Sequence, residues 1–386
     1  MTVLYILLAI FIFGLIIAMH ELGHFLVARL FKVTVREFSI GMGPKIFSVK
    51  SKKSEVVYSL RLLPLGGYCD MGEDLSDDGV LLKNGEKSTE SKEEKSGNSA
   101  ESAANAEASP SDGGNEYLYK VADDPNHFSK KPVWQRILIL IAGSLTNIIA
   151  GFIVMFIIVL SVPQQYSNKV LDFVDNASSY KTGLRVGDEI VSVAGHRTHI
   201  ANDVVYRILM DCAEPAEIVV IRDGERIVLE NVTFGTTVED DIVMGVRDFN
   251  FEEAEGGIGT VLKQTLYQSK ITVDMVFDSI KGLITGRFGF KNLSGPVGVT
   301  SALTSAAKYG FGEVVYLFVV IAINIGVVNL LPIPALDGGR VVFRLIELFT
   351  KKRIKPEIEG YIHLGGMVLL LLLMVAVTIK DVIFLF

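Results

Sequence analysis

Ala18-Met19-His20-Glu21-Leu22-Gly23-His24 lies inside an apolar segment that runs from Val3 to about Leu30. On a helix, His20 and His24 are one turn apart on one face, while Glu21 is turned about 100° away. Two imidazoles at that spacing can share a metal ion, and the intervening carboxylate can reach a water beside it. The chemistry this pattern serves is zinc-dependent peptide hydrolysis, with Glu21 as general base. The setting strengthens the reading, because ionisable side chains in a membrane-length apolar helix are costly and are functional by default.

Two histidines leave such a site incomplete, since a catalytic zinc takes three protein ligands and keeps a fourth position open. The leading candidate for the third is Asp337, in Asn329-Leu330-Leu331-Pro332-Ile333-Pro334-Ala335-Leu336-Asp337-Gly338-Gly339-Arg340. Here two prolines end an apolar run and paired glycines allow a sharp turn. Irregular backbone bearing a carboxylate at membrane depth is tolerable where it lines a cavity or meets a cation. His363, ahead of the last apolar run, is the rival ligand, but it has no helix-breaking context and reads first as an interfacial histidine.

These paired motifs resemble the site-2 protease family of intramembrane zinc metalloproteases. Gly41-Met42-Gly43-Pro44, Pro64-Leu65-Gly66-Gly67-Tyr68, Ala142-Gly143 with Asn147, and Ser294-Gly295-Pro296-Val297-Gly298 are similar to the bacterial regulator-of-sigma-E-protease type. Departures are Ser144 after the Ala-Gly pair and Cys69-Asp70 before Met71. The resemblance implies a Zn2+ cofactor, with Asn147, Gly66 and Gly67 holding an extended substrate. It also implies substrates that are single-span membrane proteins trimmed by an earlier cut, such as anti-sigma factors and remnant signal peptides. The location it implies is the bacterial inner membrane.

Composition agrees with a membrane protein. The chain has 386 residues, of which 49% are hydrophobic, more than a soluble core of this size needs. Four apolar runs are expected as transmembrane helices, over residues 1–31, 132–162, 311–340 (with the Leu-Asp-Gly motif) and 364–386. The first has no basic residue ahead of Val3 and is too long for a signal peptide. His20, 17 residues beyond Val3, falls roughly 26 Å along the axis, near the far end of the span. Basic residues crowd both sides of the first connection, from Arg29 to Arg61 and from Lys130 to Arg136, so this connection is expected in the cytoplasm and both termini outside.

Residues 32–75 concentrate Val, Ile, Phe and Tyr between glycine and proline turns, predicting membrane-associated β-hairpins. A plain connecting sheet is the bland alternative. Segment 76–116 carries ten acidic residues and four lysines and hardly any aromatics, the composition of a disordered insertion. Its net −6 accounts for most of the chain's −7, so the overall charge says little about partners. Nothing points to nucleic-acid binding, and the sequence sets no oligomeric state.

Residues 164–250 read as a soluble α+β domain of short strands, with Asp223-Gly224 as a hairpin turn. The run Gly183-Leu184-Arg185-Val186-Gly187-Asp188-Glu189-Ile190 resembles the core of a PDZ domain, expected on the extracytoplasmic side. His196 and His199 read as surface residues there. Residues 257–310 form a peripheral connection with an amphipathic helix around Val261–Leu283. Cys69 and Cys212 are too few and too far apart for a disulfide framework. The fold class is thus a predominantly α-helical polytopic membrane protein embedded in the lipid bilayer, with about four transmembrane helices, a membrane-associated β-hairpin region and one extracytoplasmic PDZ-like α+β domain. Its competitor in function is a non-catalytic membrane scaffold or metal-handling protein, which would have no need of Glu21.

Overall fold

The computed structural model describes residues 2–71, 124–239 and 242–385; the acidic segment 76–116 lies outside them. Four of the described helices are long and apolar enough to span a bilayer: Leu7–Leu30, Val133–Ser161, Phe311–Asn329 and Glu357–Ile383. They belong to α1 (Thr2–Leu30), α2 (Val133–Ser161), α7 (Phe311–Asn329) and α9 (Pro356–Leu385). The fold is that of a polytopic membrane protein with added β-sheet. The chain divides into two compact units, one of Met1–His20, Gly143–Leu331 and Val368–Phe386, the other of Glu21–Ala142 and Pro332–Met367.

In the first unit, small residues let α2 and α7 approach closely. A Cβ added at Gly326 would sit 2.8 Å from the Ser144 carbonyl oxygen, and one at Gly151 would sit 2.5 Å from Ile323. Helix association between apolar spans rests on such backbone approach rather than on hydrophobic burial. Gly326→Ala should therefore push α2 and α7 apart and lower stability by about 1–3 kcal/mol, the usual range for overpacking. Thermal unfolding in detergent measures it, and an unchanged midpoint would show that the contact yields freely.

The region 257–310 contains α5 (Ile258–Thr285) and α6 (Pro296–Tyr309). Val261, Val273, Val276 and Ile280 of α5 pack with Met155 and Val159 of α2 and Val319 and Ile323 of α7, so α5 lies against the spans. The amphipathic helix is longer than its apolar pattern implied. Pro296 opens α6 at a position that needs no N–H donor. Two nearby donors, the Gly295 and Gly298 N–H groups, bond the Asp381 carboxylate of α9 at 2.9 and 2.8 Å, a favourable charge at a helix N-terminus.

The same unit holds a six-stranded sheet of β3 (Tyr166–Phe173), β4 (Glu189–Val193), β5 (His196–Arg197), β6 (Ala216–Arg222), β7 (Glu225–Val232) and β10 (Phe249–Glu253). Its order is β10-β3-β4-β6-β7, with β5 paired to β4. The β6–β7 turn is Asp223-Gly224 with φ of 51° and 84°, the two left-handed residues of a type I′ hairpin. Helices α3 (Ser178–Lys181) and α4 (Ala201–Asp211) accompany it, and a second hairpin pairs β8 (Gly235–Glu239) with β9 (Ile242–Val246). Its core includes Val170, Leu184, Ile190, Val204, Ile218 and Phe249. Asp188, wholly buried, accepts from Arg222 Nε at 2.7 Å and from the Arg185 N–H at 2.8 Å. Among the described residues, Cys69 and Cys212 form no disulfide.

In the second unit, β1 (Glu37–Lys50) and β2 (Val57–Asp70) each double back on themselves. Residues 37–40 pair in parallel with 57–60 and antiparallel with 67–70, while 47–50 pair antiparallel with 57–60. The pairing of 67–70 with 37–40 bears on the glycine turns expected in this region, of which Gly66 and Gly67 are two. Gly66 does turn, with φ of 84°, but Gly67 lies opposite Ile40 within the sheet. Val33, Val35, Val56, Phe128, Ile139 and Leu140 form the core beneath it. Trp134 meets Phe31 edge-on at 5.3 Å.

Two boundaries differ from those read in the sequence. The third span, read as Phe311 to Leu331 with the Leu-Asp-Gly motif after it, is α7 and stops two residues earlier at Asn329, and a separate amphipathic helix, α8 (Asp337–Thr350), starts at Asp337. Pro332 and Pro334 enforce the interruption, having no N–H to donate. The fourth helix begins at Pro356 rather than near residue 364. Its first turn carries Glu357 and Glu359, and their charge hides the helix from an apolar window.

Candidate metal centre

His20 and His24 occupy successive turns of α1 and are both buried, 8% and 6% exposed. Glu21 between them is half-buried. The Ile139 carbonyl of α2 lies 2.8 Å from His24 Nδ1. A carbonyl can only accept, so Nδ1 carries a proton, and Nε2 is the nitrogen through which this ring would hold a metal. That Nε2 lies 3.4 Å from Asp337 Oδ2 at the first residue of α8. Two ligand atoms about 2.0–2.1 Å from a tetrahedral zinc are about 3.3–3.4 Å apart, so this pair already has the span of one edge of the coordination shell. His20 is carried one turn further along the same continuous helix. Donor atoms of His20, His24 and Asp337 all lie within 4.8 Å of one another.

Two buried imidazoles and one half-buried carboxylate are a donor set that suits zinc. The site thus has the composition and spacing of a hydrolytic zinc centre, with Glu21 beside it on α1.

A model of peptidase family M50 matches residues 8–373 of this sequence. This chain belongs to peptidase family M50. Curated M50 relatives extend over nearly its whole length. A candidate zinc metalloprotease of Fusobacterium nucleatum is 33% identical, over 97% of this chain and 98% of its own. The regulator of sigma-W protease RasP of Bacillus subtilis is 32% identical over 97% of both chains. Zinc metalloprotease RasP of Bacillus licheniformis is 31% identical with the same coverage. The M50 chain is a zinc metalloendopeptidase and an integral membrane protein, which removes the scaffold alternative.

The metal-competent group in this M50 chain comprises His20, His24 and Asp337; the other sequence candidates are not members. Asn147 is fully buried on α2, its Cβ 3.4 Å from where a Cβ on Gly326 would stand. Among the described residues its side-chain amide has no hydrogen-bond partner. Gly66 leaves room for Met42, whose terminal methyl would be 2.6 Å from an added Cβ. His363, the rival ligand, accepts the Ala335 N–H on Nδ1 at 3.0 Å. His199 stacks on Tyr267 with ring centroids 4.0 Å apart, and His196 is well exposed. Sequence reasoning missed the Ile139 carbonyl, because a main-chain acceptor leaves no mark in residue type.

Proposed function

We propose that this M50 enzyme cleaves the membrane-spanning segments of single-span proteins, with His20, His24 and Asp337 as zinc ligands and Glu21 as general base. The observation that carries the reading is the convergence of the three donor groups at the end of an apolar span. When bound, zinc polarises the scissile carbonyl and acidifies water. The attacking water gives its proton to the Glu21 carboxylate, which later passes it to the departing amine. The Ile139 carbonyl, taking a hydrogen bond from His24 Nδ1, orients the ring so that Nε2 faces the metal position.

Substrate is taken to be an extended segment, helped by Asn147 and by the β-strand region around Gly66 and Gly67. Open strand edges favour that mode, since an added strand gains main-chain hydrogen bonds. The six-stranded sheet with its two helices supports a PDZ-like domain at about 164–250, acting as a filter or docking module for partly trimmed proteins. Basic residues on both sides of the first connection support a cytoplasmic zinc site and an extracytoplasmic PDZ-like domain. Similarity to a regulator of sigma-W protease makes membrane-anchored anti-sigma factors the first substrates to test, and remnant signal peptides the second.

Metal content of purified variants tests the ligand assignment. Parent protein should hold about one zinc per chain, and His20→Ala, His24→Ala and Asp337→Ala should each lose most of it, since a three-ligand site does not survive as two. Undiminished zinc in Asp337→Ala would remove Asp337 from the ligand set.

A further inference from the structure

Ala335 has φ of 78°, the largest positive value of any non-glycine residue described. Left-handed backbone is disfavoured for a residue with a Cβ, and such strain persists only where the surroundings enforce it. This turn is two residues before Asp337, and three contacts enforce it. The Ala335 N–H donates to His363 Nδ1 at 3.0 Å. One turn further along α9, Gly366 lies so close to Pro334 that an added Cβ would be 2.6 Å from its carbonyl carbon and oxygen. Gly339 lies equally tightly on the loop, its added Cβ falling 2.4 Å from the Ile333 carbonyl oxygen. His363 itself is fixed by Phe343 of α8, whose ring meets the imidazole edge-on at 5.6 Å.

His363 and Gly366 are three residues apart and share a face of α9. That face offers the loop a flat backbone surface and one hydrogen-bond acceptor. The acceptor matters because a main-chain N–H away from water needs a partner. Without it, Ala335 gains by leaving the left-handed region, and the start of α8 turns with it. Asp337 Oδ2 would then lose its 3.4 Å approach to His24 Nε2.

We propose that His363 is a positioning residue: by accepting the Ala335 N–H it locks the strained turn that sets the Asp337 carboxylate toward the metal. The proposal rests on Asp337 being a zinc ligand. Its chemistry distinguishes it from direct ligation, in which His363 would offer a ring nitrogen to zinc itself.

The test uses full-length protein in detergent and reads zinc affinity by transfer to a chelator, independently of turnover. An Asn side-chain oxygen falls near the place of a His Nδ1, whereas Gln reaches toward Nε2. His363→Asn should bind zinc within a few-fold of the parent. His363→Ala and His363→Gln should weaken it about 10–100-fold, the usual effect of removing a group that orients a ligand. Adding Ala335→Gly to His363→Ala should recover much of the loss, because glycine adopts positive φ without a Cβ clash. Parental affinity in His363→Ala, or equal losses in the Asn and Gln variants, would overturn the proposal. A Gln variant that outperforms Asn would point to ligation instead. Asp337→Ala is the control: if it keeps zinc the ligand reading fails, and if it alone loses zinc only the role of His363 fails.

Discussion

Glu21→Gln should abolish nearly all turnover while leaving zinc content and folding at the parental level. Glutamine keeps the size and polarity of Glu21 but cannot take a proton from water. General-base catalysis commonly contributes about 10²–10⁴-fold in rate, and single-turnover cleavage of a single-span substrate should fall by that factor. Zinc should remain because, among the described residues, the metal-competent group is His20, His24 and Asp337, without Glu21. Glu21 is turned away from the two histidines on α1, so it can serve water without displacing a ligand. Substrate capture should persist, making this variant a trap. Cleavage at the parental rate would exclude Glu21 as the base. Lost zinc would instead place its carboxylate in the metal's coordination shell.

Contrast between Glu21→Gln and the three ligand variants follows from side-chain placement that the sequence already carried. His20, Glu21 and His24 were legible because helical periodicity converts spacing into direction. The four spans were legible because lipid demands long apolar helices. Asp337 could be nominated from its prolines and glycines, but its approach to His24 is a tertiary fact across a separation of 313 positions in the numbering. The prolines marked the end of the span before Asp337, but helix α8 was not read as an element of its own, since paired glycines at its start point to a turn. Strand pairing of residues 67–70 was hidden by Gly66-Gly67, whose composition points to a turn. The contact of the His363 imidazole with a backbone N–H was not legible, because backbone groups are the same at every position.

Another relation that no local pattern announces is the ion pair between Arg136 of α2 and Glu347 of α8. Arg136 Nη1 lies 3.0 Å from Glu347 Oε2 and Nη2 lies 2.6 Å from Oε1, a bidentate arrangement with both residues buried. Arg344 at 3.6 Å and Arg353 at 3.3 Å also face the Glu347 carboxylate. The pair joins the helix whose Ile139 carbonyl holds His24 to the helix that begins at Asp337. Arg136→Ala should cost about 3–5 kcal/mol, because it leaves a buried carboxylate without its principal partner. Arg136→Met with Glu347→Leu should cost far less, since both charges then disappear and their desolvation with them. Equilibrium unfolding in detergent would give both values and the coupling between the sites. Acid adds a second signature. Burial works to raise the Glu347 pKa, but hydrogen bonds from Arg136 and the charges of Arg344 and Arg353 outweigh it and hold it below the ordinary value. A depressed carboxylate contributes stability that is present above its unfolded pKa, about 4.3, and is lost as pH falls below it. Parent protein should therefore weaken from about pH 5 downward, and the Met/Leu double variant should weaken less over that range. Glu37 does not confound the comparison: its carboxyl, held at about 2 despite burial by hydrogen bonds from Ser59, Lys45 and Arg61, is present in both proteins. If the single and double variants lose equal stability, the pair is not the clasp between α2 and α8, and the packing around it carries that role.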